Sequence, residues 1–408
     1  MIAVDFQSFL NSRDNFKLRR AMERLREGLF DPVGVKSLTC GKATLDQVFD
    51  KGAKVLEKTG SFHQCILGTY GQGKSHTLNY IRQRALDQGF VVSYINLDPR
   101  QVPFYNFKEV YGALMKAMVF PGRDKEFIDA WKTRASKCLA LPENSKKTCQ
   151  DLIPEKIPHR FKAILTALVH KTIVLTPGKR KLKKHRRFKP REFPWILKNA
   201  LMGKDIPVWR LRAALHYRQV PFYKEKSLVC KTPYQYLDLI TGMAELFRII
   251  GFKGWVVLFD EGESIVQTRI TSRSKSYRLL DRIFCPEEPL KGFYPVFAFT
   301  HDFFTRVADE PYDRLKPKKD KPYFDKNYST AWQEIHVHNL NHLSSKEWKS
   351  LIHKLVQVHA RAYQWQPPVD VMAKKLNLEL SKYNGAEPRL KLKLLVNRLD
   401  LAQQHLME

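Results

Sequence analysis

The chain has 408 residues, 43% hydrophobic and 27% charged, which excludes wholesale disorder and leaves room for two or three domains. Lys and Arg outnumber Asp and Glu by 71 to 41, a net charge of +30 that favours polyanions such as DNA or RNA as partners. No apolar run approaches the ~20 residues of a bilayer-spanning helix, the amino terminus lacks a secretory pattern, and the six cysteines show no CxxC spacing; a soluble cytoplasmic protein without zinc ribbon or disulfide framework is expected.

In chain order, helical spacing runs over Phe16 to Gly28 and Ala43 to Lys58. A short apolar run, Cys65 to Leu67, then meets a glycine-rich turn. Beyond it, Ser75 to Gln88 reads as a helix, Phe90 to Ile95 as a buried strand and Phe107 to Met118 as a helix. A basic stretch follows. Residues 151–230 hold 20 Lys or Arg against 5 Asp or Glu, half of the chain's net charge, with its peak from Gly178 to Arg191. Helix and strand then alternate again: Pro233 to Ile250, Trp255 to Phe259, Ser276 to Phe284, Pro295 to Phe299, and a last strand at Gln333 to Val337. From about 344 the pattern is helical to the end, opened by Ser344-Ser-Lys-Glu347 as a capping box. Strands alternating with helices imply a parallel sheet with crossover helices.

The turn Gly68-Thr69-Tyr70-Gly71-Gln72-Gly73-Lys74-Ser75 matches GxxxxGK[ST] between a strand and a helix, the context that this motif requires. Its glycines let backbone N–H groups face phosphate oxygens, Lys74 adds a mobile charge, and Ser75 is a Mg²⁺ ligand. His76 completes the expected nucleotide-binding run. No NKxD-like guanine reader is present, so ATP with Mg²⁺ is expected. Gly254-Trp-Val-Val-Leu-Phe-Asp260-Glu261 is an apolar strand ending in two acids, a Walker B pattern. Asp260 would hold the metal and Glu261 would activate water, with Glu263 a second candidate base.

Taken together, these residues resemble the AAA+ and STAND ATPases, additional-strand P-loop proteins with a five-stranded core and a helical lid. The resemblance implies a γ-phosphate sensor at Thr300, where Pro295 to Thr300 ends in a hydroxyl. It implies a second sensor at Arg389, in Gly385-Ala-Glu-Pro-Arg389 of the lid, and it sets Gly41-Lys42 beside the adenine. More narrowly, Leu25-Arg-Glu-Gly28, Gly68 to Ser75, Arg84-Ala-Leu-Asp-Gln-Gly-Phe-Val-Val92 and Glu109-Val-Tyr-Gly-Ala-Leu-Met115 resemble the ATP-binding proteins of BREX (bacteriophage exclusion) systems. That likeness implies a bacterial cytoplasmic ATPase in antiphage defence, beside a helicase or methyltransferase.

The expected organisation is therefore an amino-terminal helical segment over 1–60, a P-loop α/β core over 61–122 and 231–340, a basic insertion over 123–230, and a helical lid over 341–408. In the insertion, Lys179, Arg180, Lys181, Lys183, Lys184, Arg186, Arg187, Lys189 and Arg191 are the candidate nucleic-acid contacts, with Phe188, Trp195, Trp209, Tyr217 and Phe222 interleaved nearby. DNA is the first reading and RNA an alternative; a solvated face or acidic protein partner, and last an anionic membrane, are the competing ones. Arg314 to Lys319 could extend that surface. Arg273, Arg278 and Arg282 are candidate arginine fingers for a homo-oligomer. His336 and His338 share a strand face but make a poor zinc site. The expected function is an ATPase coupled to DNA. Its rival is a nucleotide-switched scaffold with negligible turnover that recruits a partner such as a helicase, and a P-loop kinase is a third reading.

Overall fold

A computed structural model describes residues 15–29, 31, 34, 35, 38–122, 126–142, 147–169, 192–220, 222–317, 321–383 and 385–407. Helices α1 (Asn15–Arg26) and α2 (Lys42–Thr59) precede β1 (Gln64–Leu67), α3 (Lys74–Asp87), β2 (Val91–Asn96), α4 (Phe107–Lys116) and β3 (Met118–Val119). Then come α5 (Phe127–Leu139), α6 (His159–Val169), α7 (Glu192–Leu201), α8 (Val208–Tyr217) and α9 (Pro233–Ile249). The chain returns to the sheet with β4 (Trp255–Asp260), α10 (Ile270–Phe284), β5 (Phe293–Phe299), α11 (His301–Ala308), α12 (Tyr328–Ala331) and β6 (Val337–Asn339). It ends in α13 (Ser345–Tyr363), α14 (Val369–Leu380) and α15 (Pro388–Met407).

The six strands lie in the order β3-β2-β4-β5-β1-β6 and are parallel except for β3, which pairs antiparallel with β2. Strand β5 thus sits between β1 and β4, the place of the additional strand. Every residue of β4 and β5 is buried, as expected when helices cover both faces. Period-2 alternation divides their side chains: Val256 and Leu258 join Phe49, Leu56, Leu78 and Ile81 of α2 and α3, whereas Val257 and Phe259 join the large cluster on the opposite face.

That large cluster takes in Trp131, Phe161, Leu197 and Leu211, so the described helices of 123–230 pack as one body with the sheet. Trp131 donates its indole N–H to Leu165 O at 2.9 Å, and Tyr111 of α4 donates to Leu201 O at 2.6 Å. Helix α1 packs against the carboxy-terminal helices, with Leu18, Met22 and Leu25 buried among Leu351, Leu355 and Val396. Arg26 ties it to α15 through both oxygens of Asp400, each at 2.8 Å.

Element boundaries mostly match the reading, with three shifts, the first being α10, which starts at Ile270 instead of Ser276. Helix α4 stops at Lys116 because Met118 and Val119 turn back to pair with Ser93 and Val92. The last strand lies at 337–339, where Cys65, Ile66 and Leu67 offer a parallel edge, instead of 333–337. The Ser344 capping box is formed: the Ser344 N–H donates to Glu347 Oε2 at 2.8 Å, and the Glu347 N–H donates to Ser344 Oγ at 3.3 Å. Among the described residues no helix is long and apolar enough to cross a membrane.

Candidate functional site

The glycine-rich loop leaves the carboxyl end of β1 and enters α3 at Lys74. Gly71 and Gly73 have φ of +75° and +100°, left-handed values that favour glycine. The loop is stitched from within and from behind. Thr69 donates its N–H to Gln72 Oε1 at 2.7 Å, the Gln72 amide donates to Leu340 O, and the Gly68 N–H donates to Phe299 O at 3.2 Å. Lys74 is 8% exposed; its ammonium donates to Gly68 O at 3.2 Å and Thr69 O at 3.3 Å and lies 3.7 Å from Glu263 Oε1.

Asp260 ends β4 and is 3% exposed. Its Oδ2 accepts the Tyr94 hydroxyl at 2.6 Å, and its Oδ1 accepts the Glu261 N–H at 2.9 Å. Burial and then the charge of Asp260 push the Tyr94 phenol far up, so it stays a donor; the side chains of Ser75 and Asn79 also reach it. Tyr94 therefore holds Asp260 from the neighbouring strand, close to Ser75 and Asn79. Glu261 stands at φ +56°. Its carboxyl is raised above the usual range by burial first, then by Glu263 and Asp260, with Lys74 opposing. Gly262 passes so close to β5 that a Cβ there would lie 2.7 Å from Ala298 O. Glu263 Oε2 is buried with no hydrogen-bond partner among the described residues.

Thr300 follows β5 and begins α11 with extended φ and ψ, half-buried and without a side-chain capping bond. Since β5 lies between β1 and β4, Thr300 emerges between the glycine-rich loop and the two acids. The carboxy-terminal helical region reaches the same loop. Arg389 donates to the Tyr70 hydroxyl at 3.1 Å with its guanidinium 5.9 Å from the ring centroid, and a Cβ on Gly71 would lie 2.5 Å from Glu387 Oε2. Glu387 was not singled out from sequence. Its signal was its place two residues before Arg389 in the same lid motif. Tyr94 was missed too, since a tyrosine within an apolar strand looks like core.

His76 turns toward the amino-terminal segment, with Nε2 2.8 Å from Thr39 Oγ1, and burial aided by Lys42 pushes it down to about 4. Gly41 caps α2 at φ +63°, and Lys42 is the first residue of that helix. Thus Gly68 to Ser75, Asp260, Glu261, Glu263, Thr300 and Arg389 converge at one end of the sheet. The run Lys179 to Arg191, with Phe188, lies outside the described residues, as do Lys318 and Lys319.

The three candidate fingers have partners within the chain. Arg273 makes a two-pronged pair with Glu310 at 2.6 and 2.7 Å, Arg278 reaches Asp325 at 3.3 Å, and Arg282 lies 4.4 Å from the Tyr234 ring centroid. His336 stacks on His63 with centroids 5.3 Å apart, and among the described residues no cluster suited to a metal ion forms.

What this site can do is cradle an anion: left-handed glycines and a helix start surround a buried lysine whose nearest carboxylate is Glu263, 3.7 Å away. The family described as BREX system ATP-binding protein BrxC/D matches residues 16–172 and 232–407, most of the chain, and leaves 173–231 between the matched parts. No curated protein matches the chain.

Proposed function

The chain belongs to the family of BREX system ATP-binding proteins BrxC/D, and from that membership we propose a Mg²⁺-dependent ATPase that couples nucleotide turnover to DNA in phage defence. The observation that carries the reading is the buried Lys74 ammonium, held among the described residues by loop carbonyls and a carboxylate 3.7 Å away, beside the orphaned Glu263 Oε2. A triphosphate with its hydrated cation suits that donor set: phosphate oxygens for the lysine and the loop amides, and a hydration shell for the acids.

In this reading Ser75 and Asp260 hold Mg²⁺, which when bound draws charge off the β- and γ-phosphates. The loop N–H groups and Lys74 bind the phosphates. Tyr94 and the Glu261 N–H fix the Asp260 carboxylate, whose remaining lone pairs would be left for the cation. Glu261 takes a proton from the attacking water; its raised carboxyl makes it a better base than an ordinary glutamate. Thr300 and Arg389 respond to the γ-phosphate, and Glu387 and Arg389 carry that response into the lid through Gly71 and Tyr70.

The lid contact also supports a second reading, a nucleotide-set switch with negligible turnover that recruits a helicase. The test is ATP hydrolysis and DNA affinity measured together, for wild type and Lys74→Ala. Turnover lost in Lys74→Ala and raised by DNA supports the coupled ATPase. Tight ATP binding without turnover, with nucleotide-dependent DNA affinity, supports the switch.

A further inference from the structure

Residues 173–231 fall outside the family match, and within them α7 and α8 carry an outward face that the core does not use. Their inner faces are ordinary core: Phe193, Ile196, Leu197, Leu211 and Leu215 are buried in the large cluster. Trp195 and Trp209 point the other way, 56% and 57% exposed. Exposed apolar side chains gathered in one place mark interaction sites, where scattered single ones do not. Arg210 joins them: its guanidinium lies 5.9 Å from the Trp209 ring centroid, and it lines a cavity of about 390 Å³ with Glu192, Trp195 and Ile196.

We propose that Trp195, Trp209 and Arg210 form a base-stacking site for single-stranded DNA. The proposal rests on the DNA-coupled reading above and names the strand form and the residues that hold it. Flat indoles need exposed base faces; a duplex covers those faces by its own stacking, and an unpaired strand offers them. Charge points the same way, since residues 192–218 carry five Lys or Arg against two Asp or Glu, in a chain of net charge +30. A concave cavity with an arginine beside an indole suits a base and its phosphate, whereas a membrane surface would call for a convex, protruding face. The Glu192 carboxylate at the rim is an acceptor for a base amino group.

The test uses the whole chain and fluorescence anisotropy with a labelled twenty-nucleotide oligothymidine. It compares wild type, Trp195→Ala/Trp209→Ala and Trp195→Phe/Trp209→Phe, with a thermal melt to confirm that each variant is folded. The alanine pair should bind at least ~25-fold more weakly, because losing one base–aromatic stack typically weakens binding about fivefold or more. The phenylalanine pair should keep most of the affinity, and the salt dependence of the alanine pair should equal that of wild type, since no phosphate contact is removed. Unchanged affinity in the alanine pair, with wild type binding DNA, overturns the stacking site and leaves the DNA reading standing. No binding of DNA by wild type overturns both. Tighter binding of duplex, of the matching RNA or of phosphatidylserine vesicles, with the tryptophans responsible, overturns single-stranded DNA as the occupant.

Discussion

Tyr94 on β2 donates its hydroxyl to Asp260 at the end of β4 across 2.6 Å, and the same phenol is reached by the side chains of Ser75 and Asn79. The two residues proposed to hold the cation, one on α3 and one on β4, thus both lie beside one half-buried tyrosine. A partner of this kind orients a ligand and sets its basicity, and its loss typically costs ~10- to 100-fold in metal affinity or activity. Tyr94→Phe should therefore raise the Mg²⁺ concentration for half-maximal turnover within that range, with little change in ATP affinity when Mg²⁺ saturates. An unchanged Mg²⁺ dependence would show that Asp260 needs no such support.

The loop and lid make a second prediction. Alanine at Gly71 would take a left-handed conformation, at about 1–2 kcal/mol, and its Cβ would meet Glu387 Oε2. Gly71→Ala should weaken ATP binding by about 5- to 30-fold on the conformational cost alone. Gly71→Ala/Glu387→Gly removes the collision and keeps the backbone strain, so calorimetry should show partial recovery. Complete recovery would assign the whole effect to the lid.

The pH dependence follows from Glu261. Burial, Glu263 and Asp260 raise its carboxyl above the ordinary glutamate value, and a base works only when ionised. Turnover should therefore fall as pH drops through that raised value, so that the acid limb of kcat lies above pH 4.5. Glu263→Gln removes one repelling charge, which lowers the Glu261 carboxyl and should move the limb to lower pH. A shift to higher pH would contradict the assignment.

Arg273 separates a structural role from a role in trans. Its partner Glu310 is 7% exposed, so Arg273→Ala leaves a buried carboxylate without its cation, a loss of about 3–5 kcal/mol. Urea unfolding should show that loss, and Arg273→Ala/Glu310→Ala should restore part of it. Unchanged stability together with lost turnover, rescued by mixing with subunits that lack Lys74, would instead make Arg273 a finger.

The parallel sheet was legible because β1, β2, β4 and β5 are short apolar runs bounded by turns, and the loop was legible because Gly71 and Gly73 are where the backbone turns left-handed. Long-range partners left no such trace. Tyr94 and Asp260 are 166 positions apart, and only the parallel pairing of β2 with β4 joins them. The strand at 337–339 was misplaced because an edge strand is fixed by the partner it meets, here Cys65 to Leu67, more than by its own pattern. The packing of 123–230 was hidden behind its charge: Trp131, Phe161 and Leu197 are scattered among basic residues, and only the fold gathers them into the sheet's core.

The most direct test is ATP turnover at saturating Mg·ATP for wild type beside Glu261→Gln, with nucleotide binding measured on the same samples. The account predicts that Glu261→Gln binds ATP as wild type does and turns it over about 10²- to 10⁴-fold more slowly, the usual contribution of a general base. Wild-type turnover in Glu261→Gln would contradict it.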